Sequence, residues 1–175
     1  MSTVFIVTGA ARGIGAVVVE KLIQQQHNVI GIDLNPELQS WEVLQKLDLE
    51  QTARFHAISH DISQTTTLIH KIQQSPWNHL AITGLVNAAG ILEMGSLLDT
   101  SEAQWQHNLA VNFIGPAMLS QWVAKQMIPH KAGSIVSISS NAALIPRMNT
   151  GLYATTKATV SHFFKNLALE LAPHG

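Results

Sequence analysis

The sequence predicts an α/β fold: a doubly wound parallel sheet with helices on both faces, three layers deep. Three observations carry this. Short β-rich runs alternate with longer helical stretches along all 175 residues. The strand runs are largely apolar, as strands covered on both faces are. A glycine-rich stretch, "TGAARGIG", joins the first strand run to the first helical one. Together these describe a Rossmann-like sheet that binds ligands beyond the carboxyl ends of its strands.

The elements follow in order. "TVFIV" (3–7) reads as a buried strand and "GIGAVVVEKLIQQQ" (13–26) as the helix after it. "NVIGID" (28–33) and "RFHAIS" (54–59) are strands two and three, and 65–74 has apolar residues at helical spacing. "ITGLVNAAG" (82–90) is a fourth strand running into a glycine turn. Residues 101–127 form a long helix that Pro116 should bend. "GSIVSISS" (133–140) is a fifth strand, and 153–172 the last helix. No repeat or linker divides the chain, so 1–175 is expected to be one dinucleotide-binding domain.

Composition removes several function classes. Charged residues are 12% and the formal net charge is −1, which leaves no basic footprint for nucleic acid or a membrane surface. No cysteine is present, so disulfides, thiolate nucleophiles and cysteine metal sites are out. Nine histidines invite a metal, but His56 and His60 sit on a strand and its exit, and no metal site is expected. Without a basic, apolar leader or a spanning stretch, a cytoplasmic protein is the expectation.

Chemistry is sought at the strand ends. Gly9, Gly13 and Gly15, with Arg12 and Ile14 between them, stand where a pyrophosphate needs backbone N–H groups and a helix N-terminus. Asp33 ends strand two, 18 positions past Gly15, where a carboxylate can accept from adenosine ribose hydroxyls. It repels a 2′-phosphate, which favours NAD over NADP, although Arg12 could meet that phosphate. After strand three, Asp61 could accept from an adenine amino group with Ile62 on the ring. Capping of the next helix by Asp61 or Ser63 is an alternative. After strand four, Asn87, Ala88, Ala89 and Gly90 are small enough to let backbone approach a cofactor.

The only tyrosine, Tyr153, lies four residues before Lys157, so the two share a helix face. Deprotonating a tyrosine near pH 7 costs about 4 kcal/mol, and an ammonium on the same face offsets part of it. Ser140, 13 positions upstream, could hold a substrate oxygen beside the phenol. Ser139 is the adjacent candidate.

"TGAARGIG", "NAAG", Asn112 in "AVN", Ser140 and "YATTK" together resemble the short-chain dehydrogenase/reductase family. The resemblance implies that Tyr153 is the general acid/base, that Ser140 orients the substrate oxygen, and that Lys157 assists the tyrosine and holds the nicotinamide ribose. It implies that Asn112 supports a water-filled proton relay. "LVNAAGILEMG" and "SSNAALIPRMNTGLYATTKA" look like the 2,3-dihydro-2,3-dihydroxybenzoate dehydrogenases of catecholate siderophore synthesis. The implied reaction is NAD-dependent oxidation of a cyclohexadiene diol carboxylate, after which the keto product tautomerises to an aromatic ring. Arg147 is the candidate partner for that carboxylate. The resemblance also implies a homotetramer through helices 101–127 and 153–172.

Two departures stand out. The subfamily resemblance implies an arginine where this chain has Glu93, and an acid facing the site would repel a carboxylate. The chain stops at "LAPHG", whereas the family continues with further strands and a substrate-covering helix. It is therefore expected to be partial, with strand five an exposed edge, and poorly soluble or inactive on its own. Other substrates are open: a 3-oxoacyl thioester, a sugar alcohol or a steroid. So is a non-catalytic dinucleotide-binding module.

Overall fold

A computed structural model describes residues 3–37 and 40–175. Its strands are β1 (Thr3–Thr8), β2 (Asn28–Asp33), β3 (Phe55–Ser59), β4 (Ala81–Asn87) and β5 (Ser134–Ser137). Its α-helices are α1 (Gly13–Gln24), α2 (Leu49–Thr52), α3 (Thr65–Gln73), α4 (Glu102–Leu109), α5 (Gly115–Met127) and α6 (Gly151–Leu171). The five strands form one parallel sheet in the order β3-β2-β1-β4-β5. Strand order reverses between β1 and β4, where Thr8 pairs with Asn87. A crevice opens at such a reversal, because the connections leave the sheet toward opposite faces.

Period-two alternation divides the core between the faces. Val4, Ile6, Ile30, Ile32 and Leu85 pack with Leu68, Leu119 and Val123 on one side. Val7 and Val29 pack with Val19, Ile23, Trp41 and Val43 on the other. Each fully buried aliphatic contributes roughly 1.5–3 kcal/mol. Trp41 is the surprise, since its segment has no periodicity. It is wholly buried and its indole N–H donates to the Asn35 carbonyl at 3.2 Å.

The expected 101–127 helix begins at a capping box, with Ser101 Oγ accepting from Gln104 N and Gln104 Oε1 accepting from Ser101 N. It does not run through as one α-helix. Residues Ala110–Ile114 are π-helical, and the Gly115 N–H donates to the Ala110 carbonyl. The bend expected at Pro116 takes this form because proline has no N–H for the carbonyl of Asn112, four residues back. The fifth strand ends three residues earlier than expected, at Ser137; beyond it the Ile138 N–H still donates to the Asn87 carbonyl, and the Ile138 carbonyl accepts from the Lys157 ammonium on α6. It lies at one edge of the sheet, with Val136 48% exposed. Helix α3 starts at Thr65 with Gln64 before it, so neither Asp61 nor Ser63 is its cap.

On β3, His56 meets Trp77 edge-on at 6.2 Å, and burial lowers its pKa. A histidine whose folded pKa is depressed binds fewer protons folded than unfolded. Stability is then full above the unfolded pKa and falls as pH drops through about 6.5. The melting temperature should fall between pH 7.5 and 5, and His56→Phe should reduce that fall. An identical pH dependence in the variant refutes this.

Candidate active site

The crevice between β1 and β4 is built from backbone. Thr8 Oγ1 accepts from the N–H groups of Ala88 and Ala89, each at 3.2 Å, so the two strand ends are tied together. Gly9 has φ +68°, and a Cβ there would lie 2.7 Å from Ala89 N. A Cβ on Gly15 would collide with the Gly9 carbonyl. These glycines keep the turn low and aim the N-terminus of α1 into the crevice.

A cavity of about 550 Å³ lies over this turn. Gly9, Arg12, Gly13, Ile14 and Gly15 line it from β1 and α1, and Asp33 from β2. Asp61 and Ile62 enter from the β3 end, and Ala88, Ala89 and Gly90 from the β4 end. Asp33 is oriented by two backbone donors, Ala11 N at 3.0 Å and Asn35 N at 3.1 Å. Asp61 Oδ1 accepts from Ser63 N at 2.8 Å. Asn87 is placed differently from its neighbours. It is 2% exposed and donates to Ser120 Oγ at 2.9 Å, away from the cavity. Its polar side chain reaches α5, so it orders the loop from behind.

Past Gly90 the cavity meets the catalytic candidates. A Cβ on Gly90 would lie 3.2 Å from Asn112 Oδ1 and 3.5 Å from Lys157 Nζ. Lys157 Nζ sits 5.8 Å from the Tyr153 ring centroid, so both side chains are on one side of α6. The ammonium donates to the Ile138 carbonyl at 2.8 Å and is 6% exposed. Burial lowers its pKa, and the same low dielectric strengthens its attraction for an anion beside it.

The two serines part company. Ser139 Oγ lies 2.6 Å from Ser161 Oγ and donates to the Lys157 carbonyl at 3.2 Å, which commits it to α6. Ser140 Oγ accepts from Ala142 N at 3.2 Å, leaving its own O–H free to donate. Asn112, 1% exposed, donates to the Ile91 carbonyl and Thr156 Oγ1 and accepts from Ile91 N. Its side chain is spent on holding the β4 loop against α6.

Arg147 is exposed on the loop before α6 and makes no ion pair among the described residues. That loop is joined to the β4 loop by Gly95 N–H donating to Asn149 O at 2.8 Å. Glu93 is half-buried in the β4 loop. A second hollow of about 580 Å³ runs along β5 between α5 and α6. Its walls include Met127, Ile135, Phe164 and Leu171 but not the glycine turn, Asp33, Tyr153 or Lys157, so it stands apart from this chemistry.

The family model described as short chain dehydrogenase matches residues 3–175. The chain belongs to the short-chain dehydrogenase family. It is 34% identical to the 2,3-dihydro-2,3-dihydroxybenzoate dehydrogenase of Bacillus subtilis (strain 168), over 96% of this chain and 64% of that one. It is 32% identical to the sorbitol-6-phosphate 2-dehydrogenase of Klebsiella pneumoniae, over 98% of this chain and 64% of that one. The chain thus spans about 64% of the length of these curated relatives. Among solved structures, a 4-hydroxyisoleucine dehydrogenase complexed with NADH superposes with TM-score 0.86 at 25% identity, over 99% of this chain and 69% of that one.

Sequence reasoning missed several residues that shape this short-chain dehydrogenase site. Thr8 ties the crevice, and its place just before Gly9 was the available signal. Thr156 anchors Asn112, and Glu42, His60 and His107 line the cavity. Glu42 and His107 gave no signal, because their segments reach the cavity only through the tertiary fold.

Proposed function

We propose that this short-chain dehydrogenase oxidises 2,3-dihydro-2,3-dihydroxybenzoate to 2,3-dihydroxybenzoate with NAD. The observation that carries a dehydrogenase chemistry is the Lys157 ammonium fixed 5.8 Å from the Tyr153 ring, one residue contact beyond the glycine-lined crevice. The substrate rests on likeness to the Bacillus subtilis relative.

The crevice suits a dinucleotide, since backbone contacts at Gly9 and Gly15 leave no room for side chains and so keep the turn close under it, with the N-terminus of α1 facing in. Gly9, Gly13, Gly15 and Ile14 would flank the pyrophosphate, the Gly13 N–H being held by Glu42, with Asp33 on the adenosine ribose and Asp61 with Ile62 on the adenine. Ala88, Ala89 and Gly90 would pass beneath the ribose next to the nicotinamide, with Lys157 on its hydroxyls. Bound there, NAD supplies the hydride acceptor. Ser140 donates its free O–H to the substrate oxygen and holds it at the phenol. Tyr153 takes the hydroxyl proton, with the Lys157 ammonium beside its ring. The Asn112 carbonyl, which Pro116 cannot satisfy, supports a water leading that proton to solvent. Loss of hydride leaves a ketone whose tautomerisation to an aromatic ring draws the reaction forward. A cytoplasmic homotetramer through α4–α5 and α6 belongs to the same reading; Ile114, Met118 and Leu169 leave apolar area on those helices.

Glu93 favours a second reading, a substrate without a carboxylate such as a 3-oxoacyl thioester, sugar alcohol or steroid. A substrate panel on the full-length protein decides between them. The diol acid should react better than its decarboxylated analogue. Arg147→Ala should raise KM for the acid about tenfold or more, as expected for loss of a charged hydrogen bond. Equal turnover of both compounds in the wild type sinks the carboxylate substrate. Absence of any hydride transfer to NAD or NADP leaves only a dinucleotide-binding module.

A further inference from the structure

Glu42 has no part in the chemistry above, yet the fold holds it in the cavity. It lies between Trp41 and Val43, both 0% exposed and both in the core on the α1 side of the sheet. Its N–H donates to the Ala11 carbonyl at 2.8 Å, which fixes the backbone at residue 42 against the glycine turn. The side chain lines the cavity, and Glu42 Oε2 accepts the Gly13 N–H at 3.2 Å. Asp33 Oδ2 accepts the Ala11 N–H at 3.0 Å. Two carboxylates therefore bracket Arg12, one bonded to the residue before it and one to the residue after. Arg12 is the one lysine or arginine among the residues lining this cavity, which also include His60 and His107.

We propose that Glu42 is a second determinant of cofactor choice: with Asp33 it forms a two-carboxylate rim that admits an unphosphorylated adenosine ribose and rejects a 2′-phosphate. This rests on the reading that Asp33 faces that ribose. A phosphate monoester carries nearly two negative charges near neutral pH, and bringing it to two carboxylates is repulsive. Neither carboxylate is paired with the Arg12 guanidinium among the described residues, so the rim keeps its negative charge. Glu42 is exposed, so solvent and salt screen its share, and the effect expected from it alone is about tenfold.

The test is a fluorescence titration of NADH and NADPH binding to the full-length protein at low and high salt. Wild type is compared with Glu42→Gln, Glu42→Ala and Asp33→Asn. Gln keeps an oxygen for the Gly13 N–H and removes only the charge. Glu42→Gln should raise the NADPH-to-NADH affinity ratio about tenfold at low salt, with a smaller rise at high salt. A ratio unmoved by Glu42→Gln but moved by Asp33→Asn overturns the proposal and leaves the Asp33 reading standing. A ratio moved by neither overturns both. If Gln and Ala weaken the two cofactors by one common factor, Glu42 only shapes the turn, and the proposal fails.

Discussion

Replacing Tyr153 with phenylalanine is expected to lower kcat by about 10²–10⁴-fold, the range lost when a positioned acid/base is removed. The fold should not notice. The Tyr153 hydroxyl makes no hydrogen bond among the described residues, and the ring that lies 5.8 Å from Lys157 Nζ is retained. Lys157 also keeps its bond to the Ile138 carbonyl. Dinucleotide affinity and melting temperature should therefore stay near the wild-type values while turnover collapses. A Tyr153→Phe enzyme within tenfold of wild-type kcat would remove Tyr153 from the chemistry. The proton would then have to go to another group.

Gly15→Val should act on the other half of the site and fail in the opposite way. Any Cβ at Gly15 strikes the Gly9 carbonyl, and the next atoms met are Gly9 C at 2.6 Å and Ala10 N at 3.2 Å. All belong to backbone, so no side-chain rotation relieves the clash. Forcing the turn open should cost about 1–3 kcal/mol of stability. It should also move the N–H groups of the turn off a bound diphosphate. Each hydrogen bond to a charged group contributes about 1.5–3 kcal/mol, so losing one weakens cofactor binding by about 10–100-fold. Titration with NADH measures the affinity, and thermal unfolding without cofactor measures the stability. Wild-type NADH affinity in Gly15→Val would mean that the glycine turn is not the diphosphate seat.

The architecture was legible because its signals are local. Val4, Ile6 and Val7, or Val29, Ile30 and Ile32, form short apolar runs that only a strand covered on both faces tolerates. The break before α1 is written in glycines. Strand β2 was placed to the residue, since the apolar run Val29–Ile32 stands between polar Asn28 and Asp33, its two end residues. Where periodicity vanished, so did the reading. The stretch from Leu34 to Ala53 gave no element, although it holds the buried Trp41 and the short helix α2. The long helix was anticipated, but not the π-helical turn ahead of Pro116, since a proline announces a missing N–H without saying how the chain absorbs it.

The candidate site divides along the same line. The sequence by itself determined the fold class, the glycine turn, the Asp33 carboxylate at the end of β2, and a tyrosine and lysine on one helix face. Each depends on spacing within a single element or across one turn. Only the tertiary structure decided that Ser140 keeps its hydroxyl free while Ser139 gives its own to α6. It turned Asn87 away from the cavity toward Ser120, bound Asn112 to the β4 loop, and brought Glu42 to the Gly13 N–H across 29 residues of chain. Those outcomes depend on which partner a polar group meets when distant segments pack. Hydrogen bonds between such segments leave no period in the sequence.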